Sequence, residues 1–143
     1  MTGDKYYSSQ SLIKKFHKQR DVETFKQADN IGYFFNPTKE ALLLQCKDQN
    51  SQQNDIENFK LLCLTGIHLR VLGDIVLCSK LSICLLANNF ISKIDALVVC
   101  QNLVKLDLHS NELVALPGFS FWENLDKLQV LHLHDNPLGD PET

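Results

Sequence analysis

The stretch from residue 103 to residue 116, LVKLDLHSNELVAL, constrains the fold more than any other part of this chain. Leu106 and Leu108 alternate as in a short strand, so that both side chains point to one face. Asn111 follows where the chain must turn, and its amide can bond backbone groups that a bend leaves without partners. The apolar residues after it predict a return over the same core. One such unit cannot bury its own apolar face, so the pattern requires neighbouring copies.

Copies of this frame lie on both sides of the stretch. The asparagine recurs at Asn89, Asn111 and Asn136, at intervals of 22 and 25 residues. In a fainter first copy Ile67 stands at the asparagine position, as expected where no earlier unit requires the amide. The core positions of the four copies are Phe59, Leu62, Leu64, Leu69, Leu72, Ile75 and Cys78; Leu81, Cys84, Leu86, Ile91, Ile94, Leu97 and Cys100; Leu103, Leu106, Leu108, Leu113 and Leu116; and Leu128, Leu131, Leu133 and Leu138.

This periodicity is that of a leucine-rich repeat, and it predicts an α/β solenoid with a short parallel β-sheet on its concave side. We predict a partly helical, partly disordered N-terminal segment with a linker at residues 1–58, about four repeats at 59–138, and a short C-terminal tail at 139–143. Because the tail has no apolar pattern, we expect the last repeat to lack a cover. The chain should then self-associate or lie inside a larger assembly.

The N-terminal segment predicts two helices. Ser11–Arg20 has apolar residues at helical spacing, with a weaker continuation through Val22, Phe25 and Ile31. Beyond the aromatic residues Tyr33, Phe34 and Phe35, Asn36 and Pro37 predict a helix start, with Asn36 as N-cap and the helix reaching about Cys46. The Gln- and Asn-rich residues 47–58 read as a linker. The segment as a whole is compatible with a docking arm, with a cap on the repeat array, or with disorder.

The third repeat is three residues longer than the second and contains a bulky apolar group, Phe119, Phe121 and Trp122. We expect these aromatic side chains to fill the core on the convex side; an exposed Trp122 would instead be an interface anchor. Ser120 and Glu123 have the spacing of a capping box, which predicts a short helical turn.

Charge and composition exclude several classes of function. The net charge is −3, and no basic stripe points to nucleic acid or an anionic membrane. No apolar run is long enough for a membrane span. The five cysteines, three of them at core positions, predict buried reduced thiols and an intracellular location. We expect no cofactor and no catalytic residues, since the chain has neither a Cys-x-x-Cys pair nor a glycine-rich phosphate loop.

The side chains that alternate with the core leucines should form columns on the solvent side of the sheet. The N-terminal half of this surface is apolar and the other half is polar and rich in histidine. Apolar residues on such a face require a cover, which predicts a protein partner. The predicted partner-binding residues are Leu61, Ile83, Lys105 and Val130; Cys63, Leu85, Asp107 and His132; and His109 and His134, the last two following Thr65 and Ala87 in a third column.

The histidines also suggest a metal site. His109, His132 and His134 should lie on adjacent strands beside Asp107 and Asp135, and the spacing between strands would allow two ring nitrogens to share a metal ion. We predict no metal here, because nothing in the sequence provides the supporting partners that metal-bound histidines need. The metal site is kept as an alternative.

Several segments carry a family resemblance: Gly66-Ile67-His68-Leu69, Asn88-Asn89-Phe90-Ile91, Leu106-Asp107-Leu108-His109, Phe121-Trp122 and Leu133-His134-Asp135-Asn136. The repeats resemble the SDS22-like class, which is intracellular and common in ciliary proteins. These segments are similar to the leucine-rich repeat and IQ motif-containing protein 3 group. We expect a non-catalytic protein–protein interaction module that presents the curved repeat surface to a partner in a ciliary or axonemal assembly, with a regulatory subunit of a phosphatase or kinase as the alternative. No IQ motif occurs in this chain, so calmodulin binding is not carried over.

Overall fold

The structure is a computed structural model that describes residues 22–24, 26–27, 30–50 and 54–139. Phe35–Gly139 form one compact unit, and the described residues up to Phe34 belong to another. In that other unit, residues 22–24, 26, 27 and 30 are helical. The predicted helix Ser11–Arg20 and the predicted helical position Phe25 lie outside the described residues.

Four three-residue strands form one parallel sheet in chain order: β1 (Leu61–Cys63), β2 (Ile83–Leu85), β3 (Lys105–Asp107) and β4 (Val130–His132). Each strand is the predicted x-Leu-x or x-Cys-x segment of its repeat. Parallel strands need a crossover between them, and the 22- to 25-residue period supplies it. Four parallel strands with few helices are compatible with the predicted α/β class.

The crossovers contain short helical turns rather than long helices. The first two are the 3-10 helices Gly73–Leu77 and Asp95–Val99. In the third, the three additional residues accommodate the α-helix Phe119–Asn124. Upstream of the sheet lie the α-helix Lys39–Cys46 and the 3-10 helix Ile56–Asn58. Leu42, Cys46 and Ile56 from these upstream elements are fully buried in the same core as the repeats.

The core lies between the sheet and the crossovers. The central residues of the first three strands, Leu62, Cys84 and Leu106, are fully buried. Four of the five cysteines are buried and none forms a disulfide, as the sequence predicts. Burial raises the pKa of the Cys46 thiol to about 11 and that of Cys78 to about 12. These thiols are therefore neutral apolar groups within the core.

The repeat asparagines connect successive repeats through backbone groups. Asn111 Oδ1 accepts a hydrogen bond from the Ile91 backbone N at 2.9 Å, and its Nδ2 donates to the Leu86 carbonyl at 2.9 Å. The same amide also donates to the carbonyls of Leu108 and His109 in its own repeat. Asn89 and Asn136 make the corresponding bonds to the repeats before them. Each amide therefore satisfies the turn of its own repeat and of the preceding one.

Two helix starts differ from the sequence prediction. The helix Lys39–Cys46 is capped by Thr38, whose Oγ1 accepts from the Ala41 backbone N, and not by Asn36. Pro37 is instead buried, because the chain at this point packs against Gly73. The end of this helix at Cys46 is as predicted.

The helix in the third crossover begins at Phe119 after the N-cap residue Gly118, with no side-chain cap. The predicted capping box is therefore wrong, since Ser120 lies inside the helix. The aromatic prediction holds for two of three residues: Phe121 is buried, and Trp122 is half-buried with its Nε1 donating to the Pro117 carbonyl. Phe119 is 78% exposed, so it does not fill the core.

Three apolar side chains of the third and last repeats are exposed. Leu116 is assigned to the core in the sequence, yet it is exposed. Leu131 and Leu138, in the repeat that is expected to lack a cover, are exposed as well. Leu131 is the central residue of β4, the last strand that the structure describes.

Candidate partner-binding face

The strand register builds the predicted columns on one surface, which we call the open face. Leu61, Ile83, Lys105 and Val130 are paired across the four strands. Cys63, Leu85, Asp107 and His132 form the second column in the same way. In the first three strands these residues flank a buried central residue, so their side chains lie on the side of the sheet away from the core.

The first two strands contribute an apolar quartet to the open face: Leu61, Cys63, Ile83 and Leu85. Leu61, Cys63 and Leu85 are partly accessible, and Ile83 is 37% exposed. Parallel sheets are usually covered on both faces, because their strands carry apolar residues on both sides. An accessible apolar quartet on a parallel sheet therefore marks a surface suited to contact with another molecule.

The other half of the open face carries the histidine group, His109, His132 and His134. The rings of His109 and His134 stack at 4.5 Å between centroids with an angle of 7° between their planes. His132 meets His134 edge to face at 6.1 Å. Asp107 anchors this group, since its Oδ1 lies 2.6 Å from His109 Nδ1.

Asp107 is more acidic than an ordinary aspartate. Partial burial raises the pKa of the Asp107 carboxyl. Hydrogen bonds from the backbone and ring of His109, together with the charges of His109 and His132, lower this pKa by more, so that the net shift is downward. Asp107 is thus held as a carboxylate that fixes the orientation of the His109 ring.

The metal alternative is not supported by this arrangement. Among the described residues no group of three or more His, Cys, Asp or Glu side chains is arranged to hold a metal ion. His109 and His134 stack face to face, and His109 Nδ1 lies against Asp107 Oδ1.

A shallow cleft on the crossover side was not anticipated from the sequence. Its volume is about 870 Å³, and its walls come from equivalent segments of three successive repeats, around Val71, Lys93 and Ala115. The sequence signal for this cleft is the 22-residue spacing of Val71, Lys93 and Ala115, because residues at this spacing lie side by side in successive repeats. The cleft combines aliphatic walls with a few charged side chains and is separate from the columns of the open face.

Within the part of the chain that the structure describes, no helix has the length and apolar character needed to cross a membrane. No protein-family model matches the chain.

Curated proteins from three mammals are similar to part of it. In mouse and rat, proteins named leucine-rich repeat and IQ domain-containing protein 3 are 39% identical over 82 residues, which is 57% of this chain and 13% of each relative. The human protein of that name is 40% identical over 80 residues, again 13% of its length. The names suggest a leucine-rich repeat fold and an interaction module. The predicted resemblance is confirmed: over these residues the chain is a homologue of leucine-rich repeat and IQ domain-containing protein 3.

Proposed function

We propose that this chain is a non-catalytic protein–protein interaction module. In this proposal the four repeats form a leucine-rich repeat solenoid, the open face is its concave surface, and a protein partner docks there. The observation that carries the proposal is the apolar quartet. Burial of accessible apolar side chains against a partner lowers the free energy of the complex.

In this proposal the two halves of the open face contribute different interactions to partner binding. The apolar quartet provides burial, and Ile83 is its most accessible member, at 37% exposure. Lys105, Asp107 and the histidine group provide directional polar contacts whose geometry is fixed before binding by the Asp107–His109 hydrogen bond and the stacked rings. Such preorganisation limits the entropy lost on association.

We also propose a cytoplasmic setting, within a ciliary or axonemal assembly. Free, buried thiols fit a reducing compartment. The SDS22-like resemblance of the repeats supports the ciliary setting, and the names of the relatives support the repeat class.

The experiment is affinity capture from ciliated cells with three forms of the chain. Ile83→Glu places a charge in the apolar quartet, whereas Val99→Glu changes an aliphatic side chain of similar exposure, 45%, on the 3-10 helix Asp95–Val99. Partners that bind the open face should be lost with Ile83→Glu and retained with Val99→Glu. Identical partner sets for all three forms would reject the open face as the docking surface.

A further inference from the structure

The edge of β1 that faces away from β2 is occupied by two side chains from outside the repeats, Gln49 and Asn50, which we call the amide pair. Gln49 Oε1 accepts from the Cys63 backbone N at 2.8 Å, and Gln49 Nε2 donates to the Cys63 carbonyl at 3.1 Å. Asn50 Oδ1 accepts from the backbone N of Lys60 and of Leu61 at 3.0 and 3.2 Å, and Asn50 Nδ2 donates to the Leu61 carbonyl at 2.8 Å.

These contacts reproduce those that a strand makes inside the sheet. Between β1 and β2, the Lys60 carbonyl accepts from two consecutive backbone N atoms, those of Ser82 and Ile83, at 2.8 and 3.1 Å. The same forked bond recurs one repeat later, where the Ser82 carbonyl accepts from Val104 and Lys105 at 2.8 and 3.1 Å. Asn50 Oδ1 makes this forked bond to the first repeat, in the position of a backbone carbonyl.

Gln49 supplies the other half of the ladder. In the interior, the Leu64 backbone N donates to the Leu85 carbonyl at 2.9 Å, and the Leu86 backbone N to the Asp107 carbonyl at 2.8 Å. Gln49 Nε2 donates to Cys63, the residue of repeat one that corresponds to Leu85. A primary amide carries a donor and an acceptor in one plane, as a peptide group does, so two amide side chains can stand in for a strand.

A second, independent feature marks the same boundary. In the later repeats the asparagine reaches back to bond the repeat before it, as Asn89 does to the Leu64 carbonyl at 2.8 Å. The first repeat has Ile67 at this position and offers no such bond. Another repeat unit that approached the outer edge of β1 would therefore find neither an open edge nor a bridging amide.

We propose that the amide pair closes the β1 edge against strand addition, and in particular against head-to-tail stacking by a second copy of this chain. Unpaired strand edges are templates for association, and a head-to-tail contact that does not close on itself produces open filaments. Closure by side chains blocks pairing at the β1 edge. This inference concerns the edge of the sheet and is independent of the proposed docking on the open face.

The test compares the intact chain with the double variant Gln49→Ala/Asn50→Ala. The matched control is Gln45→Ala/Asn54→Ala, because both residues are exposed amides nearby that make no side-chain hydrogen bond among the described residues. Hydrogen exchange reports the amides of Leu61 and Cys63, which donate to the amide pair, against the interior amide of Lys105. Sedimentation velocity at rising protein concentration reports association.

At low concentration the double variant should exchange Leu61 and Cys63 about tenfold faster or more than the intact chain, with Lys105 unchanged. At higher concentration its sedimentation coefficient should rise above that of the intact chain while the two amides regain protection, since a second copy then pairs with the edge. The control should behave as the intact chain.

Two outcomes would overturn the proposal. One is that the two amides stay protected in the double variant at low concentration, which would mean that the amide pair does not hold this edge. The other is that they exchange rapidly at every concentration without added association, which would make the amide pair a local stabiliser only. If circular dichroism shows that the double variant does not fold, the single variants Gln49→Ala and Asn50→Ala, which each keep one amide, are judged by the same criteria.

Discussion

The first and third repeats differ in which side chains bond their backbone. In repeat three, Asn111 belongs to the repeating frame, and its amide bonds the turn of its own repeat and the repeat before it. Repeat one has Ile67 at that position, and the backbone of its turn is bonded by Asn89 of the next repeat. The outer edge of its strand is bonded by Gln49 and Asn50, which are 14 and 11 residues away from the backbone groups they bond. The interior of this array is therefore periodic, whereas its boundary is built from unrelated sequence.

The boundary also depends on close packing around Gly73. The Asp74 backbone N donates to the Pro37 carbonyl at 2.9 Å, and Asp74 Oδ2 accepts from the Lys39 backbone N at 2.8 Å. Gly73 has a positive φ of 51°, and a Cβ there would lie 2.6 Å from Pro37 Cγ. Only glycine fits where the N-terminal segment packs against the 3-10 helix Gly73–Leu77. The segment 35–50 is therefore held to repeat one by backbone as well as by side chains.

The largest expected effect is the loss of a core leucine in repeat three. Leu106→Ala should lower the free energy of unfolding by about 2–5 kcal/mol, because it leaves a cavity at a fully buried position. Leu62→Ala, at the equivalent position of repeat one, should cost a similar amount if the upstream elements cover repeat one well. Denaturant unfolding monitored by Trp122 fluorescence gives both values. A much smaller loss for Leu62→Ala would show that the boundary frays before the interior.

The next effect concerns the amide of the interior. Asn111→Ala should cost about 1–3 kcal/mol, because it leaves buried backbone groups of two repeats without partners. Asn136→Ala should cost less, since Asn136 is only half-buried and water can replace some of its bonds. Thermal melts rank the two variants. Equal losses would contradict the idea that burial decides the contribution of each asparagine.

A smaller effect is expected from the amide at the boundary. Asn50→Ala should cost about 0.5–1.5 kcal/mol, because its partners lie at a partly accessible edge where water is a substitute. Gln45→Ala, on the exposed side of the helix Lys39–Cys46, is the control and should be nearly neutral. Chemical denaturation measures both. A loss for Asn50→Ala as large as that for Asn111→Ala would remove the distinction between boundary and interior.

The smallest effect is a pH dependence confined to repeat three. Asp107 has a lowered pKa in the folded chain, so its contribution to stability is present above the unfolded value near 3.8 and is lost as the pH falls through the folded pKa. Repeat one has Cys63 at the equivalent position and lacks this contribution. Asp107→Asn should reduce the loss of stability between neutral and acid pH, whereas Asp95→Asn, at an exposed site, should not. The melting temperature of the intact chain and of both variants is measured across this pH range. Parallel curves for all three proteins would contradict a contribution from Asp107.

The repeat frame alone determined the four strands, their parallel order and register, and the buried thiols. This was possible because alternation along a strand and a fixed period along the chain are both local properties of the sequence. The same local reasoning failed for Phe119, which has an apolar side chain but lies on the exposed side of its helix. It also failed at the start of the helix Lys39–Cys46, where Asn36 was predicted as the N-cap but Thr38 caps the helix and Pro37 packs against Gly73.

Only the tertiary structure decided how the boundary and the open face are completed. Gln49 and Asn50 occur in a polar stretch that has no repeating pattern. They bond the edge of β1 because the helix Lys39–Cys46, which ends just before them, places them there. The stacking of His109 on His134 likewise depends on ring rotation and on the hydrogen bond to Asp107, which strand spacing does not specify. Periodicity fixes which backbone positions are neighbours, whereas the side-chain contacts between them are fixed by packing in three dimensions.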